Sequence, residues 1–246
     1  MIKIHEVSKN FGPTNVIPSL SLQIPTGETH ILLGSSGCGK TTILRMMAGL
    51  CKPDSGDVIL ANQNINTMSD LQISDSVGYV IQEGGLMPHL SAMNNILLPI
   101  KIRGQELTQA TNRMYEFASA VELTTNQLAR YPHELSGGQK QRVALIRGLI
   151  LNQPIVLLDE PLSALDPVVR MNLQRHLKKL FDQLSKTVVL VTHDLNVASF
   201  LGDRISLLDQ GRIVQQGRFE DLVNHPKNDF VRDFVRAQTP AAKACS

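Results

Sequence analysis

Two short runs of small and polar residues carry most of the chemistry in this 246-residue chain. Residues 34–41 read Gly-Ser-Ser-Gly-Cys-Gly-Lys-Thr, the pattern GxxxxGK(S/T). Glycines at 34, 37 and 39 let the backbone turn with its N–H groups pointing inward, so that a phosphate chain can lie against them. The helix expected next adds the positive end of its dipole. Lys40 can reach the outer phosphates of a nucleotide, and Thr41 can offer its hydroxyl to Mg²⁺. An accidental Gly-rich turn would match this pattern in roughly one such chain in a hundred, and the flanking strand and helix signals count against it. The second run is Leu135-Ser136-Gly137-Gly138-Gln139. It is either a plain helix start with Ser136 as N-cap or a set of open N–H groups that closes over a nucleotide held by another copy of the chain. Both can hold at once.

A third element is Ile155-Val156-Leu157-Leu158-Asp159-Glu160. Four apolar residues ending in two acids make a buried strand that delivers carboxylates at its C-terminal edge, where ligands sit in parallel α/β sheets. Asp159 would hold Mg²⁺ through water, and Glu160 would take a proton from an attacking water. The plainer reading is a surface acidic turn before Pro161, which predicts one acid as readily as two. His193 follows a strand and could contact a γ-phosphate. Gln82 also follows a strand and could see Mg²⁺ and the attacking water. Phe11 could stack on a purine ring, although an early Phe is more often core. Cys38 sits near a helix N-terminus, which can lower a thiol pKa; it can equally be a tolerated small residue.

The elements that must position these residues are legible in the hydrophobic pattern. Ile2, Ile4, Leu20, Leu22 and Ile24 alternate with polar residues, and 29–33 is a short apolar strand running into the glycine loop. Ile43, Leu44, Met46 and Met47 have helical spacing, and Gly49 suits a helix end. Residues 58–60 and 77–81 read as strands. From about 91 to 153 strand signals vanish and helical patterns dominate, as at Met114, Phe117, Ala118 and Val121. Strands return at 155–158 and 188–192, with a helix between them at 168–184. A hairpin turns at Asp209-Gln210-Gly211-Arg212, and 219–238 is helical apart from a break near Pro226.

Composition excludes several classes. The net charge is +2, and no basic run exceeds two residues, so nothing suggests a nucleic-acid footprint. No apolar stretch is long enough to cross a bilayer, and the N-terminus lacks the apolar core of a signal peptide. Cys38, Cys51 and Cys245 have no paired spacing, which favours reduced thiols in a cytosol-like compartment. Contact with a membrane is therefore expected to run through a partner.

In this order and spacing, the motifs resemble the nucleotide-binding subunit of an ABC transporter over residues 1–238. The resemblance implies an α/β fold, a P-loop NTPase of ABC type. It would have a RecA-like core, an N-terminal antiparallel β-subdomain and an α-helical subdomain inserted at roughly 91–153, with a flexible tail at 239–246. Phe11 matches the aromatic position that stacks on adenine, usually Tyr. Gly34, Ser35, Ser36, Gly37, Cys38, Gly39, Lys40, Thr41 and Thr42 match the Walker A loop. Gln82 matches the Q-loop residue, and Ser136, Gly137, Gly138 and Gln139 fall in the signature motif. Asp159 ends the Walker B strand, Glu160 matches the general base, Ser163-Ala164-Leu165-Asp166 the D-loop, and His193 the switch histidine. ATP and Mg²⁺ are the implied cofactors, with Thr41, Gln82 and Asp159 toward the metal. The implied partners are a second copy, holding two ATP molecules between the subunits, and transmembrane permease subunits docked near Gln82–Leu90 and the helical lobe. The implied location is the cytoplasmic face of the plasma membrane.

A finer likeness lies in Tyr79–His89 and Asn228–Val235, which are similar to bacterial importers of quaternary amines such as glycine betaine. An importer implies a solute-binding protein as an indirect partner. Many such ATPases continue into paired CBS modules; none follows here, so CBS-type regulation is not expected. Ala144-Leu145-Ile146-Arg147-Gly148 departs from the commoner Ala-Ile-Ala-Arg-Ala. The alternatives are an export motor of lipoprotein or peptide type and a soluble ABC ATPase acting on DNA or ribosomes. Lys40 and Ser136 stand 96 positions apart without sustained heptads, and the chain holds one cassette, both against the soluble class. Glu160 and His193 speak against a non-catalytic binder.

Overall fold

The computed structural model describes residues 1–82, 84–163 and 165–238. The tail expected at 239–246, Ala164 and Glu83 lie outside them. The chain opens with the hairpin β1 (Ile2–Phe11) and β2 (Thr14–Ile24). A bulge at Glu6, whose φ is +47°, shifts the register so that Val7 turns inward after Ile2 and Ile4. β3 (Thr29–Gly34) runs into α1 (Lys40–Met47), which ends at Gly49 as its left-handed φ of +72° allows. β4 (Ser55–Leu60), the short β5 (Gln63–Asn64), α2 (Asp70–Ser76) and β6 (Val77–Val80) follow. β5 and α2 carry too few periodic residues to be read in advance.

Helices α3 (Ala92–Ile102), α4 (Leu107–Ala120), α5 (Thr125–Ala129) and α6 (Gly137–Leu149) occupy the stretch whose pattern is helical in the sequence. β7 (Ile155–Asp159), α7 (Pro167–Leu184), β8 (Thr187–Thr192), α8 (Leu195–Leu201), β9 (Arg204–Asp209) and β10 (Arg212–Gly217) come next. α9 (Phe219–Asn224) and α10 (Asp229–Gln238) flank Pro226, which cannot continue a helix. Among the described residues no helix is long and apolar enough to cross a membrane.

Two compact units emerge. The first takes Met1–Ser74 and the described part of Ser185–Ser246. It holds an antiparallel sheet of order β2-β1-β4-β5. It also holds the strands β10-β9-β3-β8, in which β3 lies parallel to both β8 and β9 while β9 and β10 form a hairpin. Every residue of β3 and β8 is buried, because α1 and α8 pack on these strands; this explains their unbroken apolar runs.

The second unit takes Asp75–Leu184. It pairs β6 with β7 in parallel and packs α3 against α4, α5 and α6. Asn95, wholly buried on α3, accepts from Met87 N at 2.7 Å and donates to the carbonyls of Met87, Leu90 and Ser91. One side chain thereby satisfies the backbone of the loop before the helix, where a lost partner costs about 1–3 kcal/mol. α6 lies close on β6 at a pair of glycines. A Cβ at Gly148 would stand 2.4 Å from Val80 Cγ2, and one at Gly78 would stand 2.3 Å from the Gly148 carbonyl oxygen. This close approach is the physical reason for a glycine where Ala is commoner. Val80 is β-branched and cannot rotate aside freely. Gly148→Ala is expected to destabilise the protein by about 1–3 kcal/mol through overpacking, read as a lower denaturant midpoint with an unchanged slope. An unchanged midpoint would refute the close contact.

Candidate functional site

The loop after β3 is built around one buried cation. Lys40 is 5% exposed, and its Nζ donates to the carbonyl oxygens of Gly34 at 2.8 Å and Ser35 at 2.7 Å. The remaining N–H faces Cys38 Sγ at 3.7 Å, a weak acceptor that a phosphate oxygen would readily replace. Gly37 and Gly39 have φ of +81° and +100°, and α1 starts at Gly39 without a side-chain cap. The first-turn N–H groups are thus offered to a ligand rather than to a capping side chain. Gly34 serves by its smallness: a Cβ there would lie 2.5 Å from the Leu208 carbonyl oxygen. The turn between β9 and β10 supports the loop from beneath, since Gly211 N donates to Cys38 O at 3.1 Å. Ser35, Ser36 and Gly37 stay exposed, while Thr41 and Thr42 are half-buried.

Two further candidates lie in the same unit. Leu33 pairs with Thr192, so the loop at Gly34 and His193 leave neighbouring parallel strands at one edge. Phe11 is 52% exposed and therefore not a core residue. Lys9 Nζ stands 5.5 Å from its ring centroid, the geometry of a cation–π contact. β2, which pairs with β1, reaches the loop through Ile17: a Cβ on Gly39 would meet Ile17 Cδ1 at 2.6 Å.

The second unit gathers the carboxylates and the second helix start. Residues 155–158 are at most 3% exposed, and Asp159 is buried at the strand's end. Tyr79 Oη stands 3.4 Å from Asp159 Oδ2. Val80 pairs with Leu158, so Gln82 and Glu160 each lie two residues beyond a paired position at the same edge. Glu160 has φ +46°, a left-handed conformation that costs a non-glycine residue about 1–3 kcal/mol. Its carbonyl oxygen accepts from Ser163 N at 3.3 Å, Ser163 Oγ at 3.0 Å and Gln141 Nε2 at 3.1 Å. At the start of α6, Ser136 Oγ accepts from Gln139 N at 3.3 Å, and Gln139 Oε1 accepts from Ser136 N at 3.0 Å. This capping box commits the backbone N–H and the Oε1 of Gln139 to their own helix start, while Ser136 and Gly137 remain exposed.

Sequence reasoning singled out neither Gln141 nor the role of Arg147. Arg147 donates to Gly85 O at 2.9 Å and Gly84 O at 2.5 Å, tying α6 to the loop after Gln82. Burial pushes its pKa down, although an arginine remains a cation at neutral pH. The signal available was a polar residue on an otherwise apolar helix face, which periodicity marks but cannot partner.

Thr41, Gln82 and Asp159 each carry an oxygen donor, the ligand type a hard cation such as Mg²⁺ takes. Among the described residues no three His, Cys, Asp or Glu side chains cluster as a metal cage.

Residues 17–163 match the family described as ABC transporter. The glycine betaine/carnitine/choline transport ATP-binding protein OpuCA of Bacillus subtilis is 41% identical over 96% of this chain and 62% of its own length. The glycine betaine uptake system ATP-binding protein YehX of Escherichia coli is 39% identical over 95% of this chain and 76% of its own. The chain thus spans about three fifths of the length of OpuCA. Among solved structures, the ATP-binding cassette MJ0796, dimeric in a post-hydrolysis state with ADP and Pi, is 36% identical with a TM-score of 0.82. That match covers 89% of this chain and 99% of the cassette.

Within the loop, Cys38 is 5% exposed. Burial raises its thiol pKa, and the nearby Lys40 ammonium only partly opposes the rise. Desolvation thus outweighs the lowering that Lys40 gives through its charge and hydrogen bonds. A raised pKa leaves less thiolate at neutral pH, and the thiolate is the nucleophile. Cys38 in the folded chain is expected to be alkylated by iodoacetamide at least about ten times more slowly than in the denatured chain, as followed by mass spectrometry. Equal rates would show an open, reactive thiol instead.

Proposed function

The chain belongs to the ABC transporter family, and on that premise we propose that it is the ATP-hydrolysing motor of a membrane importer for quaternary-amine osmoprotectants. The observation that carries the ATPase reading is the loop around Lys40, whose buried ammonium and uncapped helix start form a cradle for an anion. The importer reading is supported by relatives named for glycine betaine, carnitine and choline transport. Dimerisation is supported by the likeness to a cassette solved as a dimer with ADP and Pi.

In this reading Lys40 neutralises the outer phosphates, and the N–H groups of residues 34–42 hold the phosphate chain. Phe11 stacks on adenine with its exposed ring. Mg²⁺, when bound, neutralises charge on the phosphates; Thr41, Gln82 and Asp159 are the side chains that would hold it. Glu160 takes the proton of the attacking water, and His193 contacts the γ-phosphate. Ser136–Gln139 engages the nucleotide of a second copy through the open N–H groups at the start of α6. Since the capping box takes both the backbone N–H and the Oε1 of Gln139, the open N–H groups at this helix start are those of Gly137 and Gly138.

Closing and reopening of the dimer would drive permease subunits at the cytoplasmic face of the membrane, with a solute-binding protein upstream. Permease docking near Gln82–Leu90 is supported by Ile81 and Met87, apolar side chains that are 40% and 41% exposed. Exposed apolar side chains that lie close together are a common mark of a partner surface.

Sedimentation with and without Mg-ATP tests the motor. Glu160→Gln is expected to bind ATP, lose turnover and shift from monomer to dimer, because only the base is lost. Adding Ser136→Arg should keep nucleotide binding and abolish the shift. Wild-type turnover in Glu160→Gln would refute the base, and an intact dimer in the double variant would refute the contact in trans.

A further inference from the structure

We infer that Gln141 is a positioning residue for the Glu160 carboxylate, acting from α6 through the Glu160 backbone; the inference rests on the role proposed above for Glu160. Gln141 is 5% exposed. Its Nε2 donates to the Glu160 carbonyl oxygen at 3.1 Å, while its Oε1 has no hydrogen-bond partner among the described residues. Only the nitrogen end of an amide can face a carbonyl, so the orientation is set by that acceptor. A buried amide with one end unmatched is disfavoured against an apolar side chain of similar size. Packing therefore does not account for a glutamine at this place, and the bond to Glu160 does.

The acceptor is also where the aim of Glu160 is decided. A left-handed φ of +46° sets the direction in which the side chain leaves the backbone. An L-residue keeps that conformation only when its surroundings over-determine it. Ser163 holds the same oxygen from the following turn, and Gln141 holds it from a separate helix. That helix begins with Ser136–Gln139, the segment proposed to meet the nucleotide of a second copy. An α-helix moves as a rigid element, so a shift imposed at its first turn reaches Gln141 in the next. One hydrogen bond then carries it to the residue that orients the attacking water. Engagement of the second copy and alignment of the base are thereby coupled within one chain.

The test compares wild type, Gln141→Leu and Gln141→Glu with Mg-ATP, measuring kcat and KM. Leucine removes the donor and also the unmatched oxygen, so the fold should tolerate it. Glutamate keeps the shape and presents an oxygen where the donor stood. Both are expected to lose at least about ten-fold in kcat, since small misalignments of reacting groups cost factors of that order. KM for ATP should stay within about two-fold. The double variant Gln141→Leu, Glu160→Gln should still form the ATP-dependent dimer. Full kcat in either single variant overturns the inference. So does a raised KM with kcat retained, or loss of the dimer, because Gln141 would then act on binding. If Gln141→Leu fails to fold, Gln141→Glu decides by the same split. A wild-type chain that binds Mg-ATP and dimerises yet hydrolyses none overturns the reading of Glu160 together with this inference. Turnover that survives both substitutions overturns the inference alone.

Discussion

A lysine ammonium removed from water must find oxygen atoms, and in this protein the loop after β3 supplies them. Lys40 takes the carbonyls of Gly34 and Ser35, and the loop can wrap the cation only because glycines at 37 and 39 enter left-handed conformations. The wrap leaves the first-turn N–H groups of α1 facing outward without a capping side chain. Positive charge and open donors then point to one place, and this is the physical content of phosphate binding. The surroundings are arranged to keep that loop closed and firm. Leu208 and Gly211 press from one side, Ile17 from another, and no Cβ fits at Gly34. The parallel pairing of β3 with β8 brings His193 out beside it.

The second unit is organised by α6. Within 13 residues this helix carries a capping box at its start, a glutamine bonded to the Glu160 carbonyl, an arginine clasping Gly84 and Gly85, and a glycine against β6. Each contact satisfies or crowds the backbone of a different segment that bears a candidate site residue. The helix is therefore more than a wall of the core. It holds the segments around Gln82 and Glu160 in fixed relation to Ser136. Its departure at Gly148 belongs to the same scheme, because a larger residue would lift the helix from the strand whose end leads to Gln82.

Transport specificity sits on a different level. The contacts around Lys40 and Glu160 are made to backbone carbonyls, and the roles proposed for these residues concern phosphates and a proton, not a solute. The likeness to glycine betaine and choline transport proteins therefore bears on the partners proposed for this chain rather than on the chemistry of these residues. The exposed apolar side chains near Gln82 are where such company would be felt, close in sequence to a residue proposed to sense the nucleotide.

The sequence by itself determined the local chemistry. GxxxxGK(S/T) after an apolar strand, two acids at the end of another, and Ser136 before two glycines were legible because backbone sterics and capping act over a few residues. Long periodic elements such as α7 and the buried strands were legible for the same reason, and α2 and β5 escaped because they are too short to show a period. The tertiary structure alone decided which distant groups meet. It turned Phe11 outward, raised the Cys38 pKa by burial where a helix start alone would lower it, and gave Gly148 its purpose. It also joined Gln141 to Glu160 across 19 positions of sequence. A side-chain donor carries no mark of its acceptor until the chain between them has folded.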